Sequence, residues 1–172
     1  MMSGAEPLRL ALVGPMAAGK TSIGRRVARR LDVPFIDTDK RIAAAHGPVP
    51  AIFAEHGEAH FRELERHAVA EALGDGGVVS LGGGAVVDAG TRALLRAHTV
   101  VFLTVRPDVV AGRIGNGNRP LLEGEDRLER WKRIFDERRG WYEEVATVVF
   151  DTSRRPMQAL ADEIAAWRRE QR

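Results

Sequence analysis

Short apolar segments rich in β-branched residues recur along the chain, and segments with helical periodicity fill the gaps between them. The apolar segments are continuous rather than alternating, which is typical of strands buried on both faces of a sheet. The predicted strands are Leu8–Val13, Val33–Ile36, Val78–Leu81, Thr99–Val105 and Thr147–Phe150. A helix follows Lys20, and further helices are predicted at Ile52–Leu73, Ala89–Leu95, Asp108–Ile114, Asp126–Val145 and Met157–Arg169. This alternation favours an α/β fold in which helices cover both faces of a parallel sheet.

The segment Gly14–Thr21 matches the pattern G-x-x-x-x-G-K-[ST] of a phosphate-binding loop, and it lies between the first predicted strand and an amphipathic helix. Glycines let backbone N–H groups converge on a phosphate, and the helix N-terminus adds partial positive charge. In such a loop the Lys20 ammonium reaches the β- and γ-phosphates and the Thr21 hydroxyl ligates Mg²⁺. The alternative is a glycine-rich turn that matches by chance. In its strand–helix context, the motif predicts a site for a purine nucleoside triphosphate with magnesium.

The composition narrows the class of protein. The chain has 172 residues, of which 44% are hydrophobic and 29% charged, and this fits one globular domain over residues 1–172. The absence of cysteine excludes disulfides, thiolate metal sites and a cysteine nucleophile. A net charge of +2 gives no indication of nucleic-acid binding. Because neither a secretory signal nor a membrane-length apolar run is present, we expect a cytoplasmic protein that does not bind membranes. The size favours a kinase of a small molecule.

Two carboxylates, Asp37 and Asp39, follow the second predicted strand. Ligands of parallel α/β sheets bind at the carboxyl ends of the strands. Residues two apart on extended backbone point the same way, so both carboxylates are predicted to face one cleft, where Mg²⁺ or a ligand hydroxyl offsets their repulsion. The alternative is a helix N-cap, in which Thr38 or Asp39 caps a helix that begins near Lys40.

A further set of charged residues and glycines admits two interpretations each. Arg62 and Glu65 can pair on one helix face, either as a surface salt bridge worth about 0.3–0.5 kcal/mol or with Glu65 orienting Arg62 toward an anionic substrate. The consecutive glycines after the third strand either let backbone approach a ligand closely or form a flexible turn. They are Gly82, Gly83 and Gly84.

The segment 112–124 is rich in glycine and asparagine and is predicted to form a long mobile loop, a feature that is usually functional. An arginine delivered by a closing loop stabilises transferred charge, so Arg119 is a candidate to fold over the γ-phosphate. Upstream, Arg113 is a candidate to stack on a base. Arg138 lies in a strongly charged helix, where a solvated face is the alternative. His56 and His60 are four residues apart but do not match the H-E-x-x-H zinc pattern, so we interpret them as solvated.

In this order and spacing, the motifs resemble those of the shikimate kinases over about residues 8–165. The phosphate-binding loop is common to many families, so other segments carry the resemblance. These are Asp37-Thr38-Asp39, Phe61-Arg62-x-x-Glu65, Leu81-Gly82-Gly83-Gly84-Ala85, Arg119-Pro120-Leu121-Leu122, and Arg138 shortly before Tyr142. The resemblance implies a three-layer α/β/α P-loop kinase with a five-stranded parallel sheet, a lid at about 112–124 and a substrate-binding region at about 37–66. The implied reaction transfers the γ-phosphoryl group of ATP to the 3-hydroxyl of shikimate.

The resemblance also implies a role for individual residues. The implied catalytic residues are Lys20, Asp39 and Arg119, with Asp39 as the base at the acceptor hydroxyl. Implied ATP-binding residues are Gly14, Ala17, Ala18, Gly19, Lys20, Thr21, Ser22, Arg113, Arg119, Arg155 and Pro156. Implied shikimate-binding residues are Asp39, Arg62, Gly82, Gly83, Gly84 and Arg138, and the two arginines hold the carboxylate. Thr21 and Asp37 are implied to hold Mg²⁺, Asp37 through water.

The sequence leaves two other functions open. One is a gluconate kinase or another kinase of a small hydroxy acid, because paired arginines bind any carboxylate. The other is a non-catalytic module that senses nucleotide or shikimate. The chain departs from the usual pattern at Ala17, where many shikimate kinases have glycine, and the difference restricts the backbone of the loop. We expect a monomer that acts on ATP and shikimate and binds no nucleic acid.

Overall fold

A computed structural model describes residues 6–114 and 126–171. It contains a five-stranded sheet in which every pairing is parallel, in the order β2-β3-β1-β4-β5. The strands are β1 (Arg9–Val13), β2 (Phe35–Asp37), β3 (Gly77–Ser80), β4 (Thr99–Thr104) and β5 (Val148–Asp151). All five predicted strands are confirmed, with no end displaced by more than two residues. The three central strands β1, β3 and β4 are almost fully buried, which accounts for their continuous apolar sequences.

Seven helices surround the sheet in the described part of the chain. They are α1 (Lys20–Leu31), α2 (Thr38–His46), α3 (Val49–Asp75), α4 (Ala89–Arg96), α5 (Pro107–Ile114), α6 (Arg127–Val145) and α7 (Met157–Glu170), and a short 3₁₀ turn covers Ala85–Val87. Gly57, with φ of 81°, interrupts α3, which is therefore two helical pieces rather than one continuous helix. None of the helices in residues 6–114 and 126–171 is long and apolar enough to cross a membrane.

The order of the strands determines where a ligand can bind. From β1 the chain crosses to β2 on one side, and from β3 it crosses back over β1 to β4 on the other side. Because such crossovers are right-handed, the connections after β1 and after β3 leave on opposite faces of the sheet. The carboxyl ends of these two neighbouring strands therefore open a crevice, which is the usual ligand site of a doubly wound sheet. The phosphate-binding loop and the three consecutive glycines both lie at this crevice, since Leu12 pairs with Ser80.

Candidate active site

The loop between β1 and α1 has the backbone conformation that its glycines permit. Gly14 has φ of 150°, and a Cβ atom there would collide with the Leu103 carbonyl oxygen. Gly19 has φ of 89° and precedes the first residue of α1, and a Cβ atom there would lie 2.7 Å from Cε of Met157. Both positions therefore favour glycine, Gly14 because of a backbone carbonyl and Gly19 because of its positive φ and the Met157 side chain. Ala18, between them, is fully buried.

Ala17 adopts the left-handed backbone conformation, which glycine accommodates more readily than alanine. Its φ is 70°, which costs an alanine roughly 1–2 kcal/mol. The Ala17 carbonyl accepts a hydrogen bond of 2.9 Å from Nη1 of Arg113. The same guanidinium donates to the Thr152 carbonyl at 2.6 Å. Arg113 therefore joins α5, the phosphate-binding loop and the segment after β5.

Lys20 is the first residue of α1, and its side chain folds back over the loop. Nζ donates to the carbonyl oxygens of Gly14 at 2.7 Å and of Pro15 at 2.9 Å. Burial lowers the pKa of Lys20 to about 8, against the opposing charges of Asp39 and Asp37. The ammonium is therefore still largely protonated at neutral pH, and it sits between the loop and two carboxylates.

The two carboxylates after β2 share one cleft, although not by the predicted geometry. The strand ends at Asp37, and Asp39 already belongs to the first turn of α2, so the extended-backbone argument was wrong. The capping alternative was also wrong in its choice of residue, because Asp37 caps α2 by accepting from the Lys40 N–H at 3.3 Å. Thr38 is fully buried and donates to the Ser80 carbonyl at 3.3 Å, which anchors the helix start beside β3.

Thr21 and Asp37 are adjacent across the crevice, with 3.5 Å between the Thr21 hydroxyl and Oδ2 of Asp37. One hydroxyl and one carboxylate suit Mg²⁺, which is held in proteins by few side chains and completes its shell with water and phosphate. The donor set therefore fits the ion. Ser22, the next residue, accepts a hydrogen bond from Arg26 through its hydroxyl.

Asp39 faces the crevice from α2 and packs against the glycine segment. A Cβ atom at Gly82 would lie 2.7 Å from Oδ1 of Asp39 and 3.1 Å from Oε2 of Glu65. Partial burial raises the pKa of Asp39, and the negative charge of Asp37 raises it further, whereas Lys20 and Arg62 act in the opposite direction. A carboxylate with a raised pKa is a better proton acceptor, as a general base requires.

Arg62 and Glu65 form a buried ion pair, so the surface-salt-bridge interpretation was wrong. Nη1 of Arg62 lies 2.8 Å from Oε1 of Glu65, and only 12% of the Arg62 side chain and 1% of the Glu65 side chain are exposed. Burial raises the pKa of Glu65 to about 7 despite the adjacent guanidinium. A Cβ atom at Gly84 would lie 2.8 Å from Nη1 of Arg62. The glycine segment is therefore shaped by the side chains packed against it and is not merely a flexible turn.

Arg138 turns from α6 into the same crevice, contrary to the solvated alternative. It lies close enough to influence the pKa values of Lys20 and Glu65. A Cβ atom at Gly83 would lie 3.8 Å from its Nη1. Tyr142, one helical turn further along α6, donates its hydroxyl to the Gly83 carbonyl, and burial raises its pKa to about 12. Arg62 and Arg138 therefore approach the three glycines from different helices.

The remaining predicted residues lie around the loop or outside the described residues. Pro156 immediately precedes α7, whose first residue Met157 packs on Gly19. Arg155 is paired with Glu163 on α7. Arg119 and most of the predicted lid at 112–124 lie outside the described residues.

Two aromatic residues near the site donate hydrogen bonds that we did not predict from the sequence. Trp131 is buried, and its Nε1 donates to the Met16 carbonyl at 2.7 Å. Tyr142 holds Gly83 in the same manner. The signal was the spacing of Trp131, Phe135, Arg138 and Tyr142, which places them along one face of α6.

His56 and His60 stack with their ring centroids 4.7 Å apart. No group of three or more histidine, cysteine, aspartate or glutamate side chains suitable for a metal ion occurs in residues 6–114 and 126–171. Both side chains are exposed, as the sequence analysis expected.

Comparison with known proteins identifies the family. The family model for shikimate kinase matches residues 16–168. A shikimate kinase from Corynebacterium efficiens is 46% identical over 161 residues, which cover 92% of this chain and 95% of that protein. The structure of the shikimate kinase from Acinetobacter baumannii in complex with shikimate has a TM-score of 0.86 at 32% identity, covering 96% of this chain and 95% of that chain.

A gluconokinase from Sinorhizobium meliloti is also similar, with a TM-score of 0.63 at 22% identity over 95% of this chain and 93% of that chain. At this identity the likeness shows the fold alone. The resemblance that the sequence motifs indicated is confirmed by the family match and by the identity to relatives over nearly the whole chain. The chain is an ATP-dependent kinase and belongs to the shikimate kinase family.

Proposed function

We propose that the protein transfers the γ-phosphoryl group of ATP to the 3-hydroxyl of shikimate, giving ADP and shikimate 3-phosphate. One observation carries the proposal. The Asp39 carboxylate and the Arg138 guanidinium both lie close enough to the Lys20 ammonium of the phosphate-binding loop to shift the pKa of that ammonium, Asp39 upward and Arg138 downward. A phosphate site and an acidic-substrate site therefore adjoin at one crevice, as transfer between two bound molecules requires.

On the nucleotide side, the loop backbone from Gly14 to Gly19 and the N-terminus of α1 are proposed to cradle the phosphates. Lys20 exchanges its bonds to the loop carbonyls for phosphate oxygens, and Ser22 supports the same end of α1. Arg113 and the Arg155-Pro156 segment border the base. Thr21 and Asp37 hold Mg²⁺, Asp37 through water. When bound, Mg²⁺ neutralises charge on the phosphates.

On the acceptor side, Arg62 and Arg138 are proposed to bind the shikimate carboxylate, and Gly82, Gly83 and Gly84 to line its pocket. Guanidinium groups bind carboxylates with paired hydrogen bonds, which fixes the orientation of the substrate as well as its affinity. Glu65 holds Arg62 in place through the 2.8 Å ion pair. The acceptor hydroxyl is thereby directed toward Asp39.

The chemical step then needs little beyond positioning and charge neutralisation. The acceptor oxygen attacks the γ-phosphorus, the bond from that phosphorus to the β–γ bridging oxygen breaks, and Asp39 takes the hydroxyl proton. Lys20 stabilises the charge that develops on the phosphoryl oxygens. Arg119 is proposed to act at the same group.

The proposal extends to the organisation of the chain. Residues 1–172 form a single kinase domain, with a substrate-binding region at about 37–66 and a lid at about 112–124. We propose a monomer located in the cytoplasm, where ATP is available, with no nucleic-acid or membrane partner. Size-exclusion chromatography with light scattering and cell fractionation test these two statements.

The reaction is tested by measuring ADP release from ATP and Mg²⁺ with shikimate, with gluconate and with neither. Turnover with shikimate alone is expected. Turnover with gluconate alone would retain the nucleotide site and refute the acceptor, and no turnover with either, in a protein that binds ATP, would favour the sensing module.

Two variants assign the central roles. Lys20→Ala should abolish transfer in a folded protein, because it removes the ammonium that lies against the loop carbonyls and beside the two carboxylates. Asp39→Asn should lower kcat far more than it lowers ATP affinity, since the amide cannot accept the proton. Normal turnover in either folded variant would remove that residue from the mechanism.

A further inference from the structure

The backbone of the phosphate-binding loop is held from outside by a residue of α6. The indole Nε1 of Trp131 donates a 2.7 Å hydrogen bond to the carbonyl oxygen of Met16. The two residues are 115 positions apart in the sequence, so only the fold brings them together. The bond therefore ties α6 to the loop at the residue before Ala17.

This hydrogen bond fixes the orientation of a peptide group that phosphate binding uses. A trans peptide is planar, and its carbonyl and N–H point in opposite directions. Holding the Met16 carbonyl toward α6 therefore turns the Ala17 N–H away from α6. Backbone N–H groups of such loops are the donors that cradle phosphate. A rotation of this one peptide plane would remove a donor from the site.

The loop needs such support because Ala17 does not favour the conformation it adopts. Its φ of 70° lies in the left-handed region, which an alanine disfavours and a glycine does not. The Met16 and Ala17 carbonyls, on either side of this strained residue, each accept one side-chain hydrogen bond, from Trp131 and from Arg113. Hydrogen bonds on both sides oppose relaxation of the strained alanine.

Trp131 is itself rigidly placed. It is 6% exposed, and its ring stacks on Phe135 with centroids 5.1 Å apart and planes 18° apart. Phe135 in turn stacks on Tyr142, which donates to Gly83. The indole therefore cannot swing away from the loop without disturbing this aromatic stack.

We propose that Trp131 is a positioning residue for the nucleotide, which acts by holding the peptide between Met16 and Ala17 in the orientation that binds phosphate. The inference rests on the proposed function for the identity of the nucleotide. It concerns nucleotide affinity first, because the Trp131 indole donates to the phosphate-binding loop, whereas Arg62 and Glu65 pair with each other and lie against the glycine segment.

The test compares two identical substitutions on the same helix. Trp131→Phe keeps an aromatic ring and removes the N–H, whereas Trp141→Phe changes a tryptophan that contacts Arg92 instead of the loop. The dissociation constant of Mg-ADP, measured by calorimetry without acceptor, should rise about five- to tenfold in Trp131→Phe, the factor expected from one lost hydrogen bond. It should stay within twofold of the wild type in Trp141→Phe.

Steady-state kinetics add a readout that a general structural defect would not produce. In Trp131→Phe the KM for ATP should rise by a similar factor, while the KM for shikimate and kcat at saturating ATP stay within about twofold. Unchanged ADP affinity in the folded variant would overturn the proposal. So would an equal loss of affinity for ADP and for shikimate, or an equal loss in Trp141→Phe.

A second replacement decides the matter if Trp131→Phe does not fold. Benzothienylalanine at position 131 keeps the shape of the indole and replaces its N–H by sulfur. Weakened ADP binding would support the proposal, and wild-type binding would overturn it. Since ADP binding is measured without acceptor, a wild-type protein that binds ADP but does not phosphorylate shikimate would refute the proposed reaction and leave this test intact.

Discussion

A methyl group added at Gly84 is predicted to displace the guanidinium of Arg62 and so weaken acceptor binding. The new Cβ would lie 2.8 Å from Nη1 and 2.9 Å from Cζ of Arg62. Ordinary contacts of this kind begin near 3.5 Å, so the guanidinium must retreat by about 1 Å. The backbone at Gly84, with φ of −95° and ψ of 0°, itself accommodates alanine. The effect of Gly84→Ala is therefore confined to the displaced side chain.

The displacement sets the expected size of the defect. A misplacement of about 1 Å in a substrate-positioning group can cost about 100-fold in rate, so kcat/KM for shikimate should fall by about 10- to 100-fold. The KM for ATP should change little, because the Arg62 side chain pairs with Glu58 and Glu65 and makes no hydrogen bond or ion pair to the phosphate-binding loop. Steady-state ADP release at varied shikimate measures both constants, and thermal denaturation checks the fold.

Two controls isolate the cause. Gly83→Ala adds a methyl whose nearest neighbours are at 3.5 Å or more, so its loss in kcat/KM should be smaller. In an Arg62→Lys background the bulky guanidinium is absent, and Gly84→Ala should then add little further loss. An unchanged kcat/KM in Gly84→Ala would refute the reasoning, as would the same factor of loss with and without Arg62.

Three further predictions concern stability. The pKa of Glu65 is raised from 4.5 to about 7 in the folded protein, so ionisation of this group destabilises the fold by up to about 3 kcal/mol as pH rises through that interval. Glu65→Gln should abolish that part of the pH dependence of the free energy of unfolding, measured with urea at pH 5 and pH 8. The same pH dependence in the variant and the wild type would contradict the prediction. Asp88 accepts from the Thr91 N–H at 2.8 Å at the start of α4, so Asp88→Ala should lower the free energy of unfolding by about 1–2 kcal/mol, whereas Asp88→Asn retains most of the cap. Asp32 follows the last residue of α1 with φ of 55°, a conformation that glycine adopts more readily than aspartate. Asp32→Gly should therefore raise the melting temperature, with a gain of about 0.5–1 kcal/mol in the free energy of unfolding. A lower melting temperature would show that the aspartate side chain stabilises this turn.

Local patterns were sufficient to predict the sheet and the phosphate-binding loop. A strand buried on both faces must be apolar throughout, and an amphipathic helix must repeat its apolar residues, so both leave a periodic signal in a short window. The loop left a stronger signal, because Gly14 and Gly19 have positive φ values and close neighbours that exclude a side chain. These features depend on residues near one another in the chain.

The short helix α2 marks the limit of such local reasoning. Its first turn follows β2 without a loop, so the backbone changes from extended to helical within the Asp37-Thr38-Asp39 segment. Both carboxylates face the crevice, but the reason is the anchoring of buried Thr38 to Ser80, which is 42 residues away. The sequence pattern therefore predicted correctly that both carboxylates face one cleft, but the extended backbone on which that prediction rested does not occur at Asp39.

The sequence by itself determined the fold class, the phosphate-binding loop and the family, because each depends on residue types at fixed spacings. Tertiary structure alone decided that Arg62 and Glu65 are buried, that the three glycines fit against Asp39 and Arg62, and that Trp131 supports the loop. These facts depend on burial and on contacts between segments far apart in sequence. The same pair of residues three apart on a helix is a weak contact in water, whereas burial strengthens the attraction between the charges and also adds the desolvation cost that raises the pKa of Glu65. Only the packed chain specifies which case applies.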